Sequence, residues 1–364
     1  MADLISLASG YGSFLPPPAA VEAATQALRA GQLPVAHIAG LPALRQALAE
    51  RHQGAAAISS DQVVVTPGAK SALYALLVML LRPQDEVVLP TPNWFGFDKL
   101  LARTSATVRH VPLSGADNYA LTPAALRAVL TPRTRILLLS NPNNPTGRVY
   151  HRAELAALLE VTREFPDLYV LSDEIYNLIS FGAEPVPSLL DFPDPAGRHV
   201  VVNGFSKSLA LIGWGIGYLV APAALAQACA EWQFATSVAV PVPAQQGALA
   251  ATHDATSIAA ELCHQLHLTR PLLLNYLGGL SRVPTLLPEA TYYAFPDLRA
   301  YLDPALPARQ ASAALVERFK AGGVEVVDGG TCHAPGFVRI SYAVPEPQLR
   351  EALTRLSTVL AQHP

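Results

Sequence analysis

Asn203-Gly204-Phe205-Ser206-Lys207-Ser208-Leu209-Ala210-Leu211-Ile212-Gly213-Trp214 sets a lysine among neutral, small and apolar residues, with no acid nearby in sequence. The chain has only four lysines in 364 residues: Lys70, Lys99, Lys207 and Lys320. A desolvated amine has a lowered pKa and can attack an aldehyde. The stretch directly follows Val200-Val201-Val202, an apolar β-rich run. Working upstream, Asn141-Pro142-Asn143-Asn144-Pro145-Thr146-Gly147 and Ser172-Asp173-Glu174-Ile175-Tyr176 also follow such runs, Ile136 to Leu139 and Tyr169 to Leu171. Further β-rich strand candidates are Val63 to Val65, Val87 to Leu89 and Val108 to Val111, the last with Arg109 and His110 inside it.

Several of these runs are apolar without alternation, as strands covered on both faces are. Helical stretches near 69–82, 122–130 and 151–164 lie between them, and another starts near Leu41. The alternation predicts an α/β fold, a mostly parallel sheet wrapped by helices. Ligands of such sheets bind at the carboxyl ends of the strands. Beyond about residue 265 the pattern changes. Thr291 to Phe295 and Phe337 to Tyr342 read as strands beside helices near 309–321 and 347–361, a smaller α+β domain. The expected layout is an irregular, partly extended N-terminal arm over 1–38 that forms part of the small domain, a large domain over 39–265 and a small domain over 266–364. One long helical stretch, around 243–275, joins the two.

Each motif residue has a plain structural reading beside the chemical one. Asp173 can cap a helix, or hold a pyridine nitrogen protonated and so make the ring an electron sink. Tyr176 can pack in the core or donate to a phenolate oxygen. Asn144 suits a turn, or donates to the same oxygen. Gly68-Ala69-Lys70-Ser71 opens a helix whose free N–H groups suit a phosphate. Trp94 can pack in the core or stack on a flat ring. Arg339, between Val338 and Ile340 in an apolar strand, must meet an internal acid or an anionic ligand. Together, a Schiff-base lysine, a ring-nitrogen carboxylate and phenolate donors are what pyridoxal phosphate needs.

Bulk properties narrow the choice. Hydrophobic residues make up 51% and charged residues 15%, which fits a folded globular chain. A net charge of -3 with no basic run argues against nucleic-acid binding. The longest apolar run, Ser71 to Leu81, is too short to span a bilayer, and Met1-Ala2-Asp3-Leu4 lacks a signal peptide's basic start. Cys229, Cys263 and Cys332 fit no metal spacing and read as buried free thiols of a cytoplasmic protein, so no metal is expected.

Over nearly its whole length the chain resembles the class I/II aminotransferases, fold-type I pyridoxal-phosphate enzymes of the aspartate aminotransferase superfamily. Gly40-Leu41-Pro42-Ala43-Leu44-Arg45 looks like the family's helix start. The 29 residues from Asn144 to Asp173 and 34 from there to Lys207 also fit, as does Phe337-Val338-Arg339-Ile340-Ser341. The resemblance implies that Lys207 is the aldimine lysine and Asp173 meets the ring nitrogen. It puts Asn144 and Tyr176 on the phenolate oxygen, Trp94 on the ring face, and the backbone at Ala69 and Lys70 near the phosphate. Arg339 would hold the substrate carboxylate, with Asn144 and Gly10 beside it. It also implies a homodimer and a reaction between an amino acid and a 2-keto acid. Tyr11 resembles an aromatic near the substrate in some relatives.

Three positions depart from the pattern. Gly215 stands where the family usually has the phosphate-binding Arg or Lys, Val35 where it often has a tyrosine, and Gly204 where a serine is common. The phosphate site is therefore expected to lack side-chain donors, with Lys70 or Arg148 as possible substitutes. The motifs leave two other readings open: a β-eliminating lyase, cyclase or decarboxylase using the same cofactor, and a catalytically weak binding protein with a degraded phosphate site.

Overall fold

A computed structural model describes residues 3–31, 37–52, 54–284 and 287–362. Val35 lies outside them. A short strand, β1 (Ile5–Ser6), is followed by helix α1 (Pro18–Arg29), with proline in its first turn. Proline there forfeits no helical hydrogen bond, and its fixed φ suits the turn. The Pro16-Pro17-Pro18 break is thus a helix start, which corrects the expectation of an irregular arm. Helix α2 (Pro42–Arg51) opens in the same way after Gly40-Leu41.

Seven strands form the main sheet: β2 (Val63–Thr66), β3 (Glu86–Thr91), β4 (Thr107–Pro112), β5 (Thr134–Ser140), β6 (Tyr169–Asp173), β7 (His199–Gly204) and β8 (Gly217–Val220). Their order is β2-β8-β7-β6-β5-β3-β4. Only the pairings made by β8 are antiparallel. The helices between strands are α3 (Ala69–Leu80), α4 (Gly96–Leu101), α5 (Pro123–Val129) and α6 (Arg152–Thr162). Successive side chains of a strand point to opposite faces, and here both faces are apolar. Val63, Val65, Leu137 and Leu139 enter one core, while Val64, Ile136, Leu138 and Val200 enter another. That explains the unalternated runs.

Helix α7 (Ala223–Thr236) leads to α8 (Val242–His253) and α9 (Ala255–Gly278). The single stretch expected over 243–275 is two helices, separated at Asp254. A third core lies over β9 (Tyr293–Ala294), α10 (Ala308–Ala321), β10 (Val324–Glu325), β11 (Val327–Asp328), β12 (Val338–Ser341) and α11 (Glu346–Ala361). Strands β11, β12 and β9 form an antiparallel sheet, and β10 pairs in parallel with β1. The strand expected over 291–295 is shorter than its sequence suggests. Thr291 has a positive φ of 67° and cannot extend the strand. No described helix is long and apolar enough to cross a membrane.

Candidate active site

The carboxyl ends of β2, β3, β5, β6 and β7 converge with the N-terminal arm and β12. Lys207 follows β7, Asp173 ends β6, Asn144 follows β5, Trp94 follows β3, and Ala69 and Lys70 open α3 after β2. Lys207 donates to the Gly10 carbonyl, and its amine lies 3.7 Å from the Tyr11 ring centroid. Burial is the main reason its pKa falls to about 7; the positive charges of Arg339 and Lys70 add to this, and Asp173 opposes it. An amine in this range is largely a free base near neutrality.

Asp173 is buried, and its one hydrogen-bond donor among the described residues is the Ile175 N–H at 3.3 Å. Burial pushes its pKa up to about 6, against the lowering effects of that N–H and of Lys207. Arg339 is also buried, 3% exposed. Its Nη1 donates to Asn144 Oδ1 at 3.0 Å and its Nη2 to the Ala8 carbonyl at 2.9 Å. Its Nε has no partner among the described residues. Among the described residues the guanidinium therefore faces no internal acid; its contacts are a neutral amide, a carbonyl and the Tyr293 ring at 4.3 Å.

Tyr176 is buried, and its hydroxyl meets that of Tyr293 at 2.7 Å. Burial raises both phenols above their ordinary range. Tyr292 donates to the Gly10 carbonyl at 2.8 Å, so this one carbonyl accepts from both Tyr292 and Lys207. Sequence reasoning missed Tyr292, Tyr293 and the Ala8 carbonyl. The adjacent pair Tyr292-Tyr293 was visible, but nothing local linked it to Lys207.

Trp94 lies against Gly96, where an added Cβ would come within 2.2 Å of the indole. The Lys70 amine is 5.6 Å from the Trp94 ring centroid. Gly68 caps α3 at φ 83° without a side-chain cap, so the first N–H groups of the helix are free of one. Gly215 has φ 65°, and none of the described residues comes within 4 Å of the place a Cβ would take there. An L side chain would cost about 1–2 kcal/mol of backbone strain at that φ, which gives a local reason for glycine where relatives carry a cation. Arg148 is committed elsewhere, donating to Glu154 and lying over Tyr150, which weighs against it as a substitute. Cys229 and Cys332 are buried, but Cys263 is only partly so, a correction to the expectation of three buried thiols.

These groups fit pyridoxal phosphate. A buried carboxylate with a single N–H donor suits a protonated ring nitrogen, and a side-chain-free helix start suits a phosphate. The fold and site define an enzyme built like aspartate aminotransferase. The chain belongs to the aminotransferase class I and II family, whose sequence profile matches residues 2–356. It is 33% identical to the aspartate/prephenate aminotransferase of Thermus thermophilus, over 99% of this chain and 92% of that one. Identity to the probable aspartate/prephenate aminotransferase of Aquifex aeolicus is 32%, with the same coverage. The crystal structure of the Rhizobium meliloti aspartate aminotransferase superposes with a TM-score of 0.92, at 28% identity, covering 100% of this chain and 92% of that one. The chain is a pyridoxal-phosphate-dependent aminotransferase.

Proposed function

We propose that Lys207 is the reacting amine and proton carrier, and that Arg339 binds the α-carboxylate of the amino acid and of the 2-keto acid. Pyridoxal phosphate supplies the electron sink for the bond broken at Cα. Lys207 Nζ, a free base near neutrality, takes the Cα proton and returns it. Asp173 keeps its charge for the ring nitrogen. Asn144 steadies both Arg339 and the neighbouring phenolate position, and Tyr176 is held through Tyr293. Trp94 covers one ring face, while the N–H groups at Ala69 and Lys70 take the phosphate. Gly10 shapes the substrate side through its carbonyl. The observation that carries this reading is a buried Arg339 with no acid beside it, on the same side of the molecule as a depressed lysine.

Lys70 supports a dicarboxylic substrate. Its charge is felt at Lys207, its amine lies by the Trp94 ring, and it is exposed, so it can meet a second carboxylate. The relatives named for aspartate and prephenate agree with that choice. Two further points belong to the proposal. Residues 39–265 act as the cofactor-binding unit, and 266–364 with part of the arm as the smaller one, whose core also takes in Leu7, Tyr176, Ile179, Ala210 and Leu262. A second copy covers exposed Leu15, Phe234 and Val238, giving a homodimer, and the free thiols suit the cytoplasm.

Borohydride treatment of the purified protein, followed by peptide mapping, tests the assignment. The cofactor should be fixed on the Lys207 peptide. Fixation on Lys70, Lys99 or Lys320 would overturn it. Aspartate, glutamate and aromatic amino acids, tried with and without Lys70→Ala, test the substrate class.

A further inference from the structure

Asp98, His110 and His333 meet on the edge of the molecule away from Lys207's immediate contacts, and the aminotransferase reaction uses none of them. Asp98 lies in α4, His110 in β4 at the sheet edge, and His333 directly after the turn Gly329–Cys332. His110 Nε2 is 2.8 Å from Asp98 Oδ1, and His333 Nε2 is 2.8 Å from Asp98 Oδ2. The two imidazoles are tilted at 37° with centroids 4.2 Å apart. All three ligand atoms lie within 4.8 Å of one another.

We propose that these three residues form a binding site for a divalent first-row transition ion of the zinc class. Two imidazole nitrogens and one carboxylate oxygen are a donor set that zinc, cobalt, nickel and copper favour, whereas magnesium and calcium take oxygen ligands. No arginine or lysine pairs with Asp98 among the described residues; two imidazoles share its carboxylate. Zinc–ligand bonds of about 2.0–2.2 Å require the side chains to part only slightly from their present spacing. Each residue is between 26% and 34% exposed in its side chain, so an ion can enter and water can fill the remaining positions. The supports are regular: a helix, a paired strand, and a turn fixed by Ala334 N–H to the Gly329 carbonyl at 2.8 Å. The ion would tie the α4–β4 edge to the loop entering β12, which carries Arg339. Cysteine spacing could not reveal this site, since its ligands come from three distant segments and none is a cysteine.

The test uses tag-free holoenzyme, dialysed against a chelator and titrated with Co²⁺ by visible absorbance, then with Zn²⁺ in competition. One ion per chain should bind and raise the melting temperature. His110→Gln and His333→Gln keep a hydrogen-bonding group toward Asp98 and so favour folding; retained cofactor absorbance confirms it. Each should weaken binding at least about tenfold. His264→Gln, in the separate His264–His267 pair of α9, should leave it unchanged. No cobalt spectrum in the folded native protein would overturn the proposal, as would binding that survives both ligand variants or is lost in His264→Gln.

Discussion

Lys207 and Arg339 carry opposite demands in one small volume. Burial holds the lysine down to about 7, and the nearby guanidinium adds to the effect. The proton leaves Lys207 as pH rises through about 7, and Asp173 ionises through about 6. Above neutrality Lys207 is therefore a free amine and Asp173 a carboxylate, the states that the proposed roles require. In the cofactor-free chain, Lys207 should react with an amine-selective reagent half-maximally near pH 7, well below an ordinary lysine. Peptide mapping across pH measures this, and a midpoint at the ordinary lysine value would sink it. Linkage gives the same sign for stability. The native state holds fewer protons than the unfolded chain between about 7 and 10.5, so stability rises across that window. For Arg339→Ala, the loss of a charge-assisted contact is worth roughly 1.5–3 kcal/mol. Amino-acid binding should weaken by about 10- to 150-fold while cofactor absorbance persists. Unchanged substrate dependence would make Arg339 a structural residue.

Among elements, the edge of the main sheet is fastened by one buried acid. Glu86, in β3, accepts from Arg109 of β4 at 2.6 and 2.8 Å, from Arg133 at 3.1 and 2.8 Å, and from Thr131 at 2.7 Å. The Arg109 contact is the main reason its pKa falls from 4.5 to about 2. The stabilisation is complete above about 4.5 and disappears as pH falls through about 2. Glu86→Gln should cost about 2–3 kcal/mol at pH 7, and the deficit should narrow in acid. Denaturant melts at pH 7 and pH 3 measure both, and a deficit independent of pH would contradict the account. Six of the seven sheet strands were readable from sequence, five because covered parallel strands are unbroken apolar runs and β4, at the exposed edge, from its β-branched Thr107, Val108 and Val111. Gly217 to Val220 is just as apolar, but its reversed direction depends on pairing with β2 and β7, which no local pattern encodes. Helix α1 was hidden because three prolines read as a break before they read as a start. In the site, Lys207, Asp173, Asn144 and Arg339 announced themselves through motifs. The Tyr176–Tyr293 contact did not, since its partners are 117 residues apart.

At the scale of the whole molecule, the first residues complete the site. Ala8 and Gly10 lend carbonyls to Arg339 and Lys207. Deleting residues 1–11 should leave the main sheet folded, as read by circular dichroism, yet lower kcat/KM by roughly 100-fold through lost positioning. Full activity in the truncated chain would show those carbonyls to be dispensable. The same arm is tied to the far end of the chain. Ile5 pairs with Val324, Ser6 with Glu325, and the Ser341 N–H donates to the Leu7 carbonyl. Translation delivers these partners at opposite times. The arm leaves the ribosome before its partners and must wait, unpaired, while more than three hundred residues follow. A nascent chain stalled before β10 can close its main sheet but has neither Arg339 nor an anchored arm, so competence waits until both β10 and β12 have emerged.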